Sequence, residues 1–149
     1  MNISAENLFA VANALILPAW LMLMLAPRWR WTHRLVVSGL YSSLYALGYT
    51  LLIVLNFDLA SFDFSSLDKI YQLFSNPYFL LAGWTHYLAF DLLIGAWIVE
   101  KSHENNMHYW LVLPILALTF YFGPIGYLAY MLYEFAKTKQ RKLQWNTVD

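Results

Sequence analysis

Four long stretches of the chain are almost free of formal charge. Residues 7–27, 35–57 and 105–133 carry none, and residues 70–99 carry only Asp91. A transmembrane helix needs about 20 mostly apolar residues, and each stretch is long enough. None of them alternates apolar with polar positions, so strands are disfavoured. Helices are predicted at about 8–26, 35–56, 77–99 and 109–135. Pro18 falls inside the first, where a membrane bundle tolerates it. Pro77 opens the third, at the position proline favours. The first stretch lacks a basic leader and a small-residue cleavage site, so it is expected to be a retained helix.

The connectors are polar. Residues 28–34 form a basic turn, 58–69 a mildly acidic loop, 100–106 a polar loop, and 137–149 a basic tail. Between helices two and three, Leu67, Ile70, Tyr71 and Phe74 recur at helical spacing, which predicts a short helix lying in the interface. Trp29, Trp31, Tyr78, Trp84, Trp97, Tyr109, Trp110 and Tyr133 lie near predicted helix ends, as membrane-anchoring aromatics do.

Charge does not orient four spans. The tail and Lys69 put five basic residues on one side, against four from the turn and Lys101, too small a margin for the positive-inside rule. Both termini are expected on one side, the cytoplasmic one. A break in helix four within residues 122–126 would instead bring turn and tail together. The remaining length is too short for two full spans.

Composition narrows the class further. Of 149 residues, 60% are hydrophobic and 12% charged, and the mean hydropathy is +0.48. Soluble domains carry about 25% charged residues, so a soluble domain or a disordered chain is excluded. Nine basic residues balance nine acidic ones, which leaves no basic excess for nucleic acid. There is no cysteine, hence no disulfide and no thiolate chemistry. The expected fold is all-α: one four-helix transmembrane domain over residues 1–136, an interfacial helix, and a polar tail.

Ionisable groups inside spans are costly and are functional candidates by default. Asp91 is the only carboxylate deep in a span. Desolvation favours its protonated form, which can serve as a general acid. At 100° per residue it shares a helix face with Trp84, Tyr87 and Leu88, while His86 lies about 140° away. The alternative reading is that Asp91 and His86 hold the bundle together by bonding to other helices. Asn7, Asn13, Tyr41, Tyr45, Tyr49, Thr119 and Tyr121 are possible partners. Asn13, Tyr45, Trp84 and Tyr87 are also candidate ligand contacts, since the tyrosines at 41, 45 and 49 form an aromatic stripe that a flat apolar ligand could follow. Gly83 and Gly95 would let a neighbouring helix approach closely. Glu100, His103 and His108 include an i,i+3 pair of metal-ligating types, but an ordinary polar loop explains them better. No Gly-rich phosphate loop, nucleophile elbow or HExxH motif is present, and no cofactor is indicated.

Two motifs carry a resemblance. Gly83-Trp84-Thr85-His86-Tyr87-Leu88-Ala89-Phe90-Asp91-Leu92, with Thr119-Phe120-Tyr121-Phe122-Gly123-Pro124-Ile125-Gly126, resembles the abscisic-acid-deficient-four family over nearly the whole chain. The Ala26-Pro27 end of helix one, with Thr32 and Arg34 beyond it, is similar too. The resemblance implies a four-helix membrane protein. In plants the family is required to make neoxanthin from violaxanthin, a redox-neutral opening of an epoxide to an allenic alcohol. It implies Asp91 and His86 as the acid and base, and a carotenoid as ligand. The chain lacks a transit-peptide-like extension, and residues 100–108 differ from the plant members. A bacterial cytoplasmic membrane is therefore the expected setting. Two rival readings stand beside an isomerase: a non-catalytic carotenoid-binding or assembly subunit of a larger membrane complex, and a small transporter or channel component. Four helices make a thin wall, so a homo-oligomer is also expected.

Overall fold

The computed structural model describes residues 4–56 and 63–145, with side chains to residue 137. Among these residues every regular element is helical. The helices are α1 (Ala5–Leu25), α2 (Arg30–Thr32), a π-helical turn (His33–Val37), α3 (Leu40–Leu55), α4 (Leu67–Phe74), α5 (Pro77–Glu104), α6 (Tyr109–Phe122) and α7 (Pro124–Trp145). Three stretches are long and apolar enough to cross a membrane: α1, Arg30–Leu55 taken together, and α5. The chain divides into two compact units, Met1–Leu93 and Ile94–Asp149.

In the first unit, Ser4 caps α1 by accepting from the Asn7 N–H at 3.2 Å, with Glu6 in the first turn where the helix dipole favours it. Proline disfavours helical backbone in the residue before it, and α1 ends at Ala26, next to Pro27. The exit is closed by Thr32. Its hydroxyl is wholly buried and donates to the Ala26 carbonyl at 2.7 Å and the Met22 carbonyl at 3.4 Å.

Helix two begins earlier than 35 and is not regular. Ser38 N–H reaches back to His33 C=O at 2.9 Å, a five-residue step that inserts an extra residue. Gly39 then takes φ +81° at the cap of α3, a conformation glycine adopts without steric cost. The Tyr45 hydroxyl donates to the Ala12 carbonyl at 2.6 Å and ties α3 to α1. Leu15, Leu21, Leu44, Leu47, Leu51 and Val54 are exposed, as expected for surface that meets lipid rather than water.

A short helix stands at the predicted residues. Ser66 caps α4 through the Lys69 N–H. Leu73 is buried, while Leu67 and Tyr71 stay exposed. Phe74 seats its ring over Gly83 of α5, where a methyl group would lie 2.7 Å from the ring. Asn76 then accepts from the Tyr78 N–H at 2.9 Å, with Pro77 at the first position of α5.

In the second unit two sequence expectations change. Residues 100–104 belong to α5 instead of a polar loop. The stop comes at Asn106, in the left-handed region at φ +49°, with Asn106 N–H bonded to His103 C=O and Met107 N–H to Ser102 C=O. This is a Schellman termination, for which asparagine is the common substitute for glycine. The change from apolar to charged residues does not mark the helix end.

The second change is in helix four, which is broken. Gly123 has φ +45°, its N–H bonds to Thr119 C=O at 2.8 Å, and Pro124 starts α7. Gly126 then lies directly against Thr119. A side-chain carbon there would collide with the Thr119 hydroxyl and backbone nitrogen. Near its other end α7 meets the loop that precedes α6. Asn105 donates to Glu134 at 2.7 Å and to the buried Tyr130 hydroxyl at 3.3 Å, and Lys137 donates to the Asn105 carbonyl. Trp97 packs on Tyr127 and Tyr130. Helices α6 and α7 therefore form a hairpin.

Candidate functional site

The polar groups of helix three lie on the part of α5 within the first unit. Thr85 is buried and turns its hydroxyl back to Leu81 C=O at 2.7 Å, so its demand is met within the helix. Trp84 faces α1. Its indole N–H donates to Asn13 Oδ1 at 3.1 Å, and Asn13 donates to Phe9 C=O at 2.8 Å. Two candidate ligand contacts, Asn13 and Trp84, thus bind each other and latch α5 to α1.

Two grooves flank this contact. One, of about 560 Å³, runs between α1, α3 and α5 and is lined by residues such as Leu8, Ala12, Tyr41, Tyr45, Leu81 and Thr85. Its polar groups are few, and the Tyr45 hydroxyl is already spent on Ala12. The other, of about 780 Å³, opens where α1, α4 and α5 begin or end. Phe9, Phe74, Trp84 and Tyr87 give it aromatic walls, with Glu6 and Pro77 near its mouth. Trp84 stacks on Tyr87 at 5.3 Å and meets Phe9 at a tilt at 5.7 Å between ring centres.

Asp91 lies one turn beyond Tyr87, and the Tyr87 hydroxyl donates to its carboxylate. The other carboxylate oxygen, Oδ2, is buried and has no hydrogen-bond partner among the described residues. A buried oxygen left unpaired costs about 1–3 kcal/mol, more if charged. An ionised Asp91 would leave that cost in full, so the arrangement suits a neutral carboxyl or one that completes its bonding to a bound ligand.

His86 stands elsewhere. It stacks on Phe90 at 4.6 Å and meets Tyr49 at 5.6 Å, on an exposed part of α5. No hydrogen bond joins His86 to Asp91, and neither residue lines the two grooves. The 140° separation on the helix accounts for this. The tyrosine stripe of α3 divides in the same way: Tyr41 and Tyr45 line the apolar groove, while Tyr49 turns to His86.

One residue was passed over in sequence. Ser42 on α3 is 6% exposed, and its hydroxyl has no hydrogen-bond partner among the described residues. Its signal in the sequence is a hydroxyl in mid-span beside the tyrosine stripe. Among the described residues, no three His, Cys, Asp or Glu side chains gather as a metal site. Glu100, His103 and His108 do not form one. Glu100 and His103 are helical, and His108 is the cap of α6, with Lys101 paired to Glu104 at 2.7 Å.

Apolar spans with one half-buried, half-paired carboxylate define an integral helical membrane protein. A family model described as ABA DEFICIENT 4-like matches residues 7–130. The chain belongs to the ABA4-like family. No curated protein and no solved structure matches it.

Proposed function

We propose that this protein takes a xanthophyll from the bilayer into the aromatic groove, and that Asp91, held by Tyr87, acts on the oxygen of its end ring. The observation that carries this reading is the double role of Tyr87. It lines the groove and bonds to a carboxylate whose second oxygen is unspent. Aromatic walls suit a conjugated hydrocarbon, and the family supports a role in carotenoid metabolism.

In the isomerisation this would serve, the Asp91 proton passes to the epoxide oxygen and one epoxide C–O bond breaks. The Asp91 carboxylate so formed takes a proton from the neighbouring polyene carbon, and that C–H electron pair closes the allene. The product is an allenic alcohol, with no net oxidation. Neither His86, the candidate base, nor Asp91 itself lines the groove, which favours a second reading, a binding protein without turnover. Three helices are long and apolar enough to cross a membrane, one fewer than the four spans expected from sequence.

The test is to purify the protein from a host that makes epoxy-carotenoids and to identify the pigments. Pigment that co-purifies and is lost in Trp84→Ala supports the groove. An allenic product that falls about 100-fold or more in Asp91→Asn, as general-acid loss predicts, supports catalysis. Bound but unchanged pigment supports the binder. Colourless protein with unchanged pigments in the host overturns both.

A further inference from the structure

We propose that α6 and α7 are a re-entrant hairpin, so that the chain crosses the membrane three times and carries its basic turn, Lys101 and its tail on the same, cytoplasmic face. The two termini then lie on opposite sides, with the N-terminus and α4 outside.

The lengths require a return. Helix α6 has 14 residues, which at 1.5 Å each rise about 21 Å, short of the roughly 30 Å hydrocarbon core. From Pro124 the chain needs a similar rise to reach Glu134 and Lys137, and both meet Asn105, just before α6 begins. The segment ends at the level where it started.

Irregular backbone at membrane depth survives only when it is buried in protein with its groups paired. The apex satisfies this. Gly123 and Gly126 are buried, and the Gly126 and Tyr127 N–H groups both bond to Gly123 C=O. The outward residues are apolar: Tyr121, Phe122, Ile125, Leu128, Leu132 and Phe135 are all more than half exposed. Such a surface is stable against lipid, not water.

The consequence is electrostatic. Three crossings set the start of α1 and the end of α5 on opposite sides, and the hairpin adds none. Eight of the nine basic residues then share the face of the α1–α2 turn, and Lys69 alone remains opposite, on the side of Glu6, Asp63 and Asp68. Four spans divide the same charges five against four. Eight against one is a distribution the positive-inside rule reads without ambiguity, and the anionic inner leaflet attracts that face. Trp31 stands on that face with Arg30 at 5.3 Å and Arg34 at 5.7 Å from its ring centre.

The cysteine-free chain permits a direct test. Ser65→Cys, His33→Cys and Thr147→Cys are introduced singly into the full chain and labelled with a membrane-impermeant maleimide in intact bacterial spheroplasts, in opened membranes and in detergent. Ser65→Cys should label in intact spheroplasts. His33→Cys and Thr147→Cys should label at least tenfold more after opening. Labelling of Thr147→Cys from outside, together with Ser65→Cys, would establish four crossings and overturn the hairpin. Labelling of His33→Cys from outside would overturn the orientation. Protection of any of the three from both sides, with reaction only in detergent, also overturns the assignment.

Discussion

Thr32 shows how one hydroxyl stabilises a turn that no pattern of hydrophobicity marks. It donates to the Met22 and Ala26 carbonyls, which also accept the Ala26 and Trp29 N–H groups, from a wholly buried position. Thr32→Val keeps the shape and removes the donor. It should destabilise the protein by about 1–2 kcal/mol, seen as a lower thermal midpoint in detergent, with Thr32→Ser restoring most of the loss. Asp91 has the opposite sign. Its Oδ2 is unpaired without ligand, so Asp91→Asn should leave the thermal midpoint unchanged or raise it even as it abolishes conversion. A clear drop in the midpoint would make Asp91 structural glue.

At the scale of the element, two helices end where backbone chemistry stops them, not where charge begins. Helix α5 runs on to the left-handed Asn106, and Asn106→Ala should cost about 1–2 kcal/mol, because alanine pays for that conformation. Helix four breaks at Gly123-Pro124, and Gly126 allows α7 to touch Thr119. Gly126→Ala should therefore cost about 1–3 kcal/mol through forced displacement of backbone. Gly48→Ala, with nothing near the added carbon, serves as the control and should be neutral or slightly stabilising. Equal effects from the two would remove the close approach from the account. The sequence motif Phe122-Gly123-Pro124-Ile125-Gly126 pointed to the place of the break. It did not show that the chain turns back, because that depends on Asn105 meeting Glu134, a pair 29 residues apart.

For the whole molecule, charge acts through topology. In the hairpin arrangement, neutralising Arg28, Arg30 and Arg34 to glutamine leaves five basic residues against one. The triple variant should keep its orientation, with Ser65→Cys still labelled from outside. With four crossings the same change would leave one against five and favour inversion. Orientation is thus a property of the path of the chain, read through a charge list that is identical in both cases.

Much was determined by sequence alone. Long charge-free runs can be satisfied only as helices in lipid, because no water is present to meet the backbone. Apolar spacing placed α4 correctly at residues 67–74, and the scarcity of charge singled out Asp91 as the one deep carboxylate. Tyr87 was placed on its face by helical phase, and the structure adds the hydrogen bond. What tertiary structure alone decided are the pairings across helices. Asn13 and Trp84, expected to face a ligand, satisfy each other, and His86 is carried away from Asp91 to Tyr49 and Phe90. The reason is physical. Burial in a membrane helix depends on local composition, which one dimension records. The partner of a polar group, and the side of the membrane on which a tail emerges, depend on contacts between residues far apart in the chain.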